Sequence, residues 1–243
     1  MTGPGTISGV GLGPGDPELM SVKADRLLRN ARHVAFFRKE GRTGQARKII
    51  DGMLRPDVTE IAMEYPVTTE IPLTDPRYNE LLSAFYDDST ARLRALSDAG
   101  EDVVVVSEGD PFFYGSFMHL YTRLRDVCPV RLVPAITGMA AAWTATGEPI
   151  TWGDDVLTTL MGTLPEDDLV EHMRRSDALI VMKIGRNIDK IRGALRKAGR
   201  YDAAWLVEYA SMPGQTVQKL SEAADKVTPY FSIIVVHGQG RRP

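Results

Sequence analysis

Short apolar runs alternate with amphipathic stretches along nearly the whole chain, the pattern of strands interleaved with helices. "GTISGVGLG" predicts a first strand, and Ser21 to Asn30 a helix whose apolar positions include Val22, Ala24, Leu27 and Leu28. "HVAFF" (His33 to Phe37) predicts a second strand, and Ala46 to Leu54 a second helix. After an irregular stretch rich in Pro and Thr, a long helix is expected from about Tyr78 to Ala99. "EDVVVVSEGDP" holds the clearest strand: consecutive valines bounded by Asp102 and Ser107 describe a strand covered on both faces, as in a parallel sheet. A helix over Ser116 to Arg125 and the strand "VRLVP" follow. From Ala135 the texture changes to the small-residue stretch "AITGMAAAWTATGEPITWG", which predicts a helix running into a loop. Beyond it, strands are expected at "DVLTTLMG", "DALIVMKIG", "AAWLVEYA" and "YFSIIVVHG", with helices over Glu166 to Arg174 and Asn187 to Ala198. The simplest architecture is two α/β domains, residues 1–134 and 135–243, the first of them mostly parallel.

Composition narrows the functional classes. With Lys+Arg 29 against Asp+Glu 32 the net charge is -3, so no basic field points to nucleic acid. No run reaches the roughly eighteen apolar residues of a membrane span. The opening "MTGPGTISGVG" lacks the charged start and long apolar core of a secretory signal. One cysteine, Cys128, reads as a lone buried thiol in a reducing cytoplasm. His33, His119, His172 and His237 are scattered without ligand spacing, so no metal is expected.

Ligands of open parallel sheets lie beyond the carboxyl ends of the strands, and glycine-bearing turns follow Val10, Val106 and Ile184. The first, "GLGPGDP", is no dinucleotide fingerprint. Counted from Gly9, the third glycine slot of G-x-G-x-x-G holds Pro14; counted from Gly11, it holds Asp16. Pro14 has no amide hydrogen to offer a phosphate, and Asp16 would repel one. A nucleoside ligand without phosphate suits the turn better, and S-adenosylmethionine is such a ligand. The second turn, "SEGDPFFYGS", repeats Gly-Asp-Pro directly after the best strand, presenting Glu108, Gly109 and Asp110. A third element, "VPAITGMAAAW", puts Thr137 and Gly138 at the start of a small-residue helix where a flat ligand could approach the backbone.

Taken in order, "VGLGPGDPELMSVKA", "SEGDPFFYG" and "VPAITGMAAAW" resemble the tetrapyrrole methylase family, whose members use S-adenosylmethionine to methylate uroporphyrinogen-derived rings. The resemblance runs along essentially the whole chain. It implies two α/β domains with the cofactor in a cleft between them, and a homodimer. Within the family, "MEYPVTTE", "YGSFMHLYTRL" and "AAWTATGEPITWGDDVLTTLMGTLP" look most like the branch that methylates C-20 of precorrin-2 in cobalamin synthesis. By the same resemblance Pro14 lines the cofactor pocket, together with Glu108, Gly109 and Asp110 where relatives read Gly-Gly-Asp. Phe113 takes the place of an apolar contact, and Thr137, Gly138, Met182 in "IVMKIG" and Ala210 in "VEYAS" complete the set. The chain departs from the family at Glu108, at Ala135 in place of a glycine, and at Tyr209 in place of an arginine.

The implied reaction is an in-line displacement in which a ring carbon attacks the methyl on sulfur. The leaving group is already activated by its charge, so alignment and exclusion of water carry much of the catalysis. A base for a substrate proton is not identified: Asp16, Glu64, Glu108 and Asp110 are candidates by their place beside the motifs, each reading more readily as a helix cap or turn carboxylate. The tetrapyrrole substrate is an octacarboxylate and needs local cations. "FRKEGRTGQARK" concentrates Arg38, Lys39, Arg42, Arg47 and Lys48, of which Arg38, Lys39 and Arg42 are the expected substrate contacts. Other readings are a sister methylase acting on cobalt-precorrin-2 or another ring carbon, a non-catalytic nucleotide-binding module, and a dinucleotide-dependent oxidoreductase.

Overall fold

The computed structural model describes residues 3–68, 71, 75–225 and 227–241. The chain divides into two compact units, Met1–Thr137 and Gly138–Pro243. The sequence places the boundary slightly earlier, at the change of texture between 134 and 135.

The first unit contains β1 (Ile7–Gly11), β2 (His33–Lys39), β3 (Thr59–Tyr65), β4 (Val103–Ser107) and β5 (Val130–Val133). They form one sheet in the order β3-β2-β4-β1-β5, with every pairing parallel. Its helices are α1 (Val22–Asn30), α2 (Gln45–Ile49), α3 (Pro76–Asp98) and α4 (Phe117–Leu124). The valine run of β4 shows why the sheet is covered twice. Val104 and Val106 pack with Val10, Leu28 and Ile49 from the α1 and α2 side. Val103 and Val105 pack with Leu93, Phe117 and Leu120 from the α3 and α4 side. Fully burying one such valine stabilises by roughly 2 kcal/mol, so a polar residue at any of the four would unseat a layer. The helices begin where side chains satisfy their free amides. Ser21 Oγ accepts from the Ala24 N–H at 3.2 Å, and the Asp75 carboxylate accepts from Arg77 N ahead of Pro76. In the sheet, Gly11 pairs with Ser107, so the chain leaves β1 and β4 side by side.

The second unit contains β6 (Leu157–Met161), β7 (Ala178–Met182), β8 (Ala204–Glu208), β9 (Thr216–Lys219) and β10 (Ser232–Val236), in the order β6-β7-β10-β8-β9. Only β6 and β7 run parallel; the other pairings are antiparallel. Helices α6 (Glu166–Arg175) and α7 (Ile188–Lys197) build the core on one face, with Leu169, Met173, Ile191 and Leu195. Helix α5 (Gly138–Ala145) lies on the other, over Ile180, Val207 and Val235. Among the described residues no helix is long and apolar enough to cross a membrane.

Three elements differ from the sequence pattern. Helix α2 stops at Ile49 rather than Leu54, because Gly52 at φ +74° takes a left-handed conformation that ends a helix. Strand β3 occupies part of the stretch expected to be irregular. Its alternation is present, with Ile61 and Met63 buried and Glu60 and Glu64 turned away, but it is bracketed by Pro56 and Pro66. Strand β9 was not expected: it is a short polar edge strand with no fully buried residue, and carries no apolar signal.

Candidate active site

The turns after β1 and β4 are built alike and are bonded to each other. Asp16 Oδ1 accepts from Glu18 N at 2.9 Å, and Asp110 Oδ1 accepts from Phe112 N at 2.8 Å. Each aspartate thereby folds the backbone two residues on, ahead of a proline that fixes φ. The Gly109 N–H donates to Gly13 O at 2.7 Å, and Leu12 N donates to Ser107 O at 2.9 Å. The other carboxylate oxygen of Asp110 accepts from Ala135 N at 2.9 Å, adding the segment that leaves β5. At Gly11 a Cβ would stand 2.6 Å from the Ala135 methyl and 2.7 Å from Gly109 O. Only a glycine lets these three chain segments meet.

Several features of this junction fit a nucleoside with a positive sulfur. Pro14 is buried and offers no amide to a phosphate. The Ser107 hydroxyl is buried and meets no hydrogen-bond partner among the described residues, so it is free to serve a ligand. Among the described residues nothing stands within 4 Å of where a side chain at Gly109 would begin, which leaves its backbone open to close approach. Glu108 is exposed, with neighbouring protein atoms shielding its carboxyl from part of the surrounding water. That desolvation pushes its pKa above the ordinary glutamate value, against the pull of the backbone N–H groups of Glu108 itself and Ala46. A cation beside it would favour the ionised form.

Backbone strain occurs in the second turn and, separately, in the second unit. Among the described residues, the non-glycine positions with positive φ are Tyr114 (53°), Lys183 (53°), Tyr209 (54°) and Ser211 (60°). Bulky residues enter this region at a cost that surrounding structure must offset, and such strain concentrates at binding sites. Tyr114 follows Phe113, Lys183 follows Met182, and Tyr209 and Ser211 flank Ala210. Every one of them borders a residue named above as a cofactor contact.

The family model of the tetrapyrrole (corrin/porphyrin) methylases matches residues 6–224. The chain belongs to the tetrapyrrole methylase family. A Sinorhizobium protein named precorrin-2 C(20)-methyltransferase is 45% identical over 241 residues, covering 99% of this chain and 98% of that one. The cobalt-precorrin-2 C(20)-methyltransferase of Salmonella typhimurium is 26% identical, covering 97% of each. In fold, the methylase is similar to the crystal structure of cobalt precorrin-4 methyltransferase, CbiF, with a TM-score of 0.73 and 21% identity over 96% of this chain and 94% of that one.

Within the methylase, Pro14, Glu108, Gly109, Asp110 and Phe113 fall on the two joined turns. Both oxygens of Asp110 already accept backbone N–H bonds, so this carboxylate shapes the turn. Thr137 lies two residues past Ala135, and Gly138 opens α5 with Ile233 Cδ1, at 3.7 Å, near its missing side chain. Met182 and Ala210 both pack against the α5 face of the second sheet. Of the expected substrate contacts, Arg38 is held by Glu64 at 2.6 and 2.8 Å, Lys39 sits at the exposed end of β2, and Arg42 is exposed on the following loop. Thr69 and Glu70 of "MEYPVTTE" lie outside the described residues. Sequence reading missed Ser107, and it missed the short hydrogen bond between the Tyr65 hydroxyl and Ser116 Oγ. That bond ties the end of β3 to the residue before α4, beside the second turn. Tyr86 joins the group: burial pushes its hydroxyl pKa up, while Ser116 and Tyr65 pull it down. The alternation of "TEIAMEY" was the signal that would have placed Tyr65 at a strand end.

Proposed function

We propose that this methylase transfers the methyl group of S-adenosylmethionine to C-20 of precorrin-2, giving precorrin-3A and S-adenosylhomocysteine. The observation that carries the substrate assignment is the 45% identity to the Sinorhizobium enzyme along essentially the full length of both chains. The lower 26% identity to the Salmonella cobalt-precorrin-2 enzyme, at similar coverage, favours the metal-free ring over the cobalt-loaded one.

The donor assignment is supported by the joined turns, which lack a phosphate site and present a carboxyl where a sulfonium would help it ionise. Pro14, Glu108, Gly109, Asp110, Phe113, Thr137, Gly138, Met182 and Ala210 are the proposed donor contacts. Arg38, Lys39 and Arg42 are the proposed contacts to substrate carboxylates. In the reaction the carbon–sulfur bond breaks as the new carbon–carbon bond forms, and the electron pair returns to sulfur. The positive charge passes to the ring and is discharged by loss of a proton. The protein's part is to align carbon, methyl and sulfur and keep water out. The homodimer and cytoplasmic location implied by the family remain part of this proposal, to be checked by light scattering and cell fractionation.

The deciding experiment is anaerobic incubation with precorrin-2 and carbon-13-methyl S-adenosylmethionine, followed by mass spectrometry and carbon NMR. One labelled methyl at C-20 is the expected product. A methyl elsewhere on the ring, or transfer only to cobalt-precorrin-2, would move the enzyme to a sister reaction.

A further inference from the structure

A cavity of about 680 Å³ opens in the first unit, walled by β2, α2 and the loop between them. Its size is that of a small-molecule site. Among the described residues four cations line it, and two are occupied. Arg38 is held by Glu64, and Arg47 by Glu60 at 2.6 and 3.0 Å and by Asp51 at 3.1 Å. The other two, Arg42 and Lys48, are exposed and meet no side-chain acceptor among the described residues. Arg42 is nevertheless held in place from its backbone. Its N–H donates to Lys39 O at 3.0 Å, and the loop closes at Gly44 (φ +83°), where a Cβ would stand 2.7 Å from Phe37 O. The walls thus carry ion pairs, and the two unmatched charges are presented on a turn and a helix. The cavity adjoins the donor site through α2, whose Ala46 N–H faces the Glu108 carboxyl.

Each pyrrole-derived ring of a uroporphyrinogen-type substrate carries one acetate and one propionate. We propose that the cavity receives one such acetate–propionate pair, one carboxylate on the Arg42 guanidinium and the other on the Lys48 ammonium, a reading that rests on the substrate assigned above. The Arg38–Glu64 and Arg47–Glu60 pairs act as positioning walls. Of the proposed substrate contacts this singles out Arg42, and it adds Lys48.

The test compares uroporphyrin III with coproporphyrin III, in which the acetates are replaced by methyls, by fluorescence titration of the purified protein. The wild type is expected to prefer uroporphyrin III about tenfold or more, and the preference should fall as salt rises. Arg42→Gln and Lys48→Gln should each cost about tenfold for uroporphyrin III; for coproporphyrin III, which keeps its propionates, one of the two should cost as much and the other, the acetate's partner, little, and the double variant should erase the preference. Binding of S-adenosylhomocysteine should hold in all three, and with precorrin-2 the loss should appear in KM rather than kcat. Arg42→Lys and Lys48→Arg, which keep the charges, should keep most of the preference. A double variant that binds S-adenosylhomocysteine and retains the wild-type preference overturns the proposal. So does a wild-type preference that salt does not touch, a result that needs no variant. If the wild type methylates precorrin-2 and the variants leave KM unmoved, the cavity assignment alone fails. A salt-sensitive preference without methylation of precorrin-2 would sink the substrate assignment and leave the cavity standing.

Discussion

The two Gly-Asp-Pro turns share their letters and their local shape, and differ in what surrounds them. Gly15-Asp16-Pro17 follows β1, and Gly109-Asp110-Pro111 follows β4. In both, the aspartate carboxylate accepts the N–H two residues on, and its carbonyl accepts the N–H three residues on, at 3.0 Å from Leu19 and 3.2 Å from Phe113. The motif therefore encodes a bend, and encodes it twice. Asp110 goes further and takes the Ala135 N–H of a third segment. Just before each aspartate's glycine the turns diverge again: Pro14 in one, buried and without a donor, and Glu108 in the other, accessible and ionisable. A repeated motif thus fixes the shape of two walls, while the residues that break the repeat decide which wall joins the chain together and which carries charge.

The largest effect should come from the bond that distinguishes the turns. Asp110→Ala removes the cap of its own turn and the tie to Ala135, and should cost about 3 kcal/mol in chemical denaturation. Asp16→Ala, losing its surface cap, should cost about 1 kcal/mol. Equal losses at the two positions would mean that the Ala135 bond does not set Asp110 apart from Asp16. Next comes the junction beneath them. Gly11→Ala should cost about 2 kcal/mol by overpacking, because the new methyl meets Ala135 Cβ and Gly109 O together. Adding Ala135→Gly should recover roughly half of that, since the clash with the Gly109 carbonyl remains. If the double variant is no more stable than the single, the contact with Ala135 is not what holds Gly11 in place.

Much of this was legible in the residues. The valine run at 103–106 announced a strand buried on both faces, and the failed dinucleotide count at Pro14 and Asp16 separated this site from a phosphate site. The lost information has a common cause: it depends on segments far apart in sequence. Nothing in "SEGDP" says that Asp110 reaches Ala135, or that the Ser107 hydroxyl will be buried without a partner. Arg38 looked as available as Arg42, because Glu64 sits on a strand hidden between two prolines. Lys48 was one of five clustered cations, and nothing in the sequence singled it out beside Arg42 until α2 was folded against the loop that carries Arg42.

The smallest expected effect sharpens the contrast between Pro14 and Glu108. Desolvation raises the Glu108 pKa above its usual 4.5, so the folded protein holds this proton more tightly than the unfolded chain does. Its contribution to stability is therefore complete below about pH 4.5 and is lost as pH rises through the raised value. Glu108→Gln should melt higher than the wild type at pH 7 to 8, with the gain vanishing near pH 4. A bound sulfonium works in the opposite sense, since a cation beside the carboxyl favours its ionised form. S-adenosylmethionine should then bind with release of a proton, and its affinity relative to S-adenosylhomocysteine, which lacks the charge, should rise as pH passes through the raised pKa. Calorimetry in two buffers of different ionisation enthalpy measures the proton directly. In Glu108→Gln both the proton and the pH dependence of the affinity ratio should disappear. A ratio with the same pH dependence in both proteins would show that the sulfur does not lie against this turn, and that Pro14 and Glu108 differ in charge without differing in task.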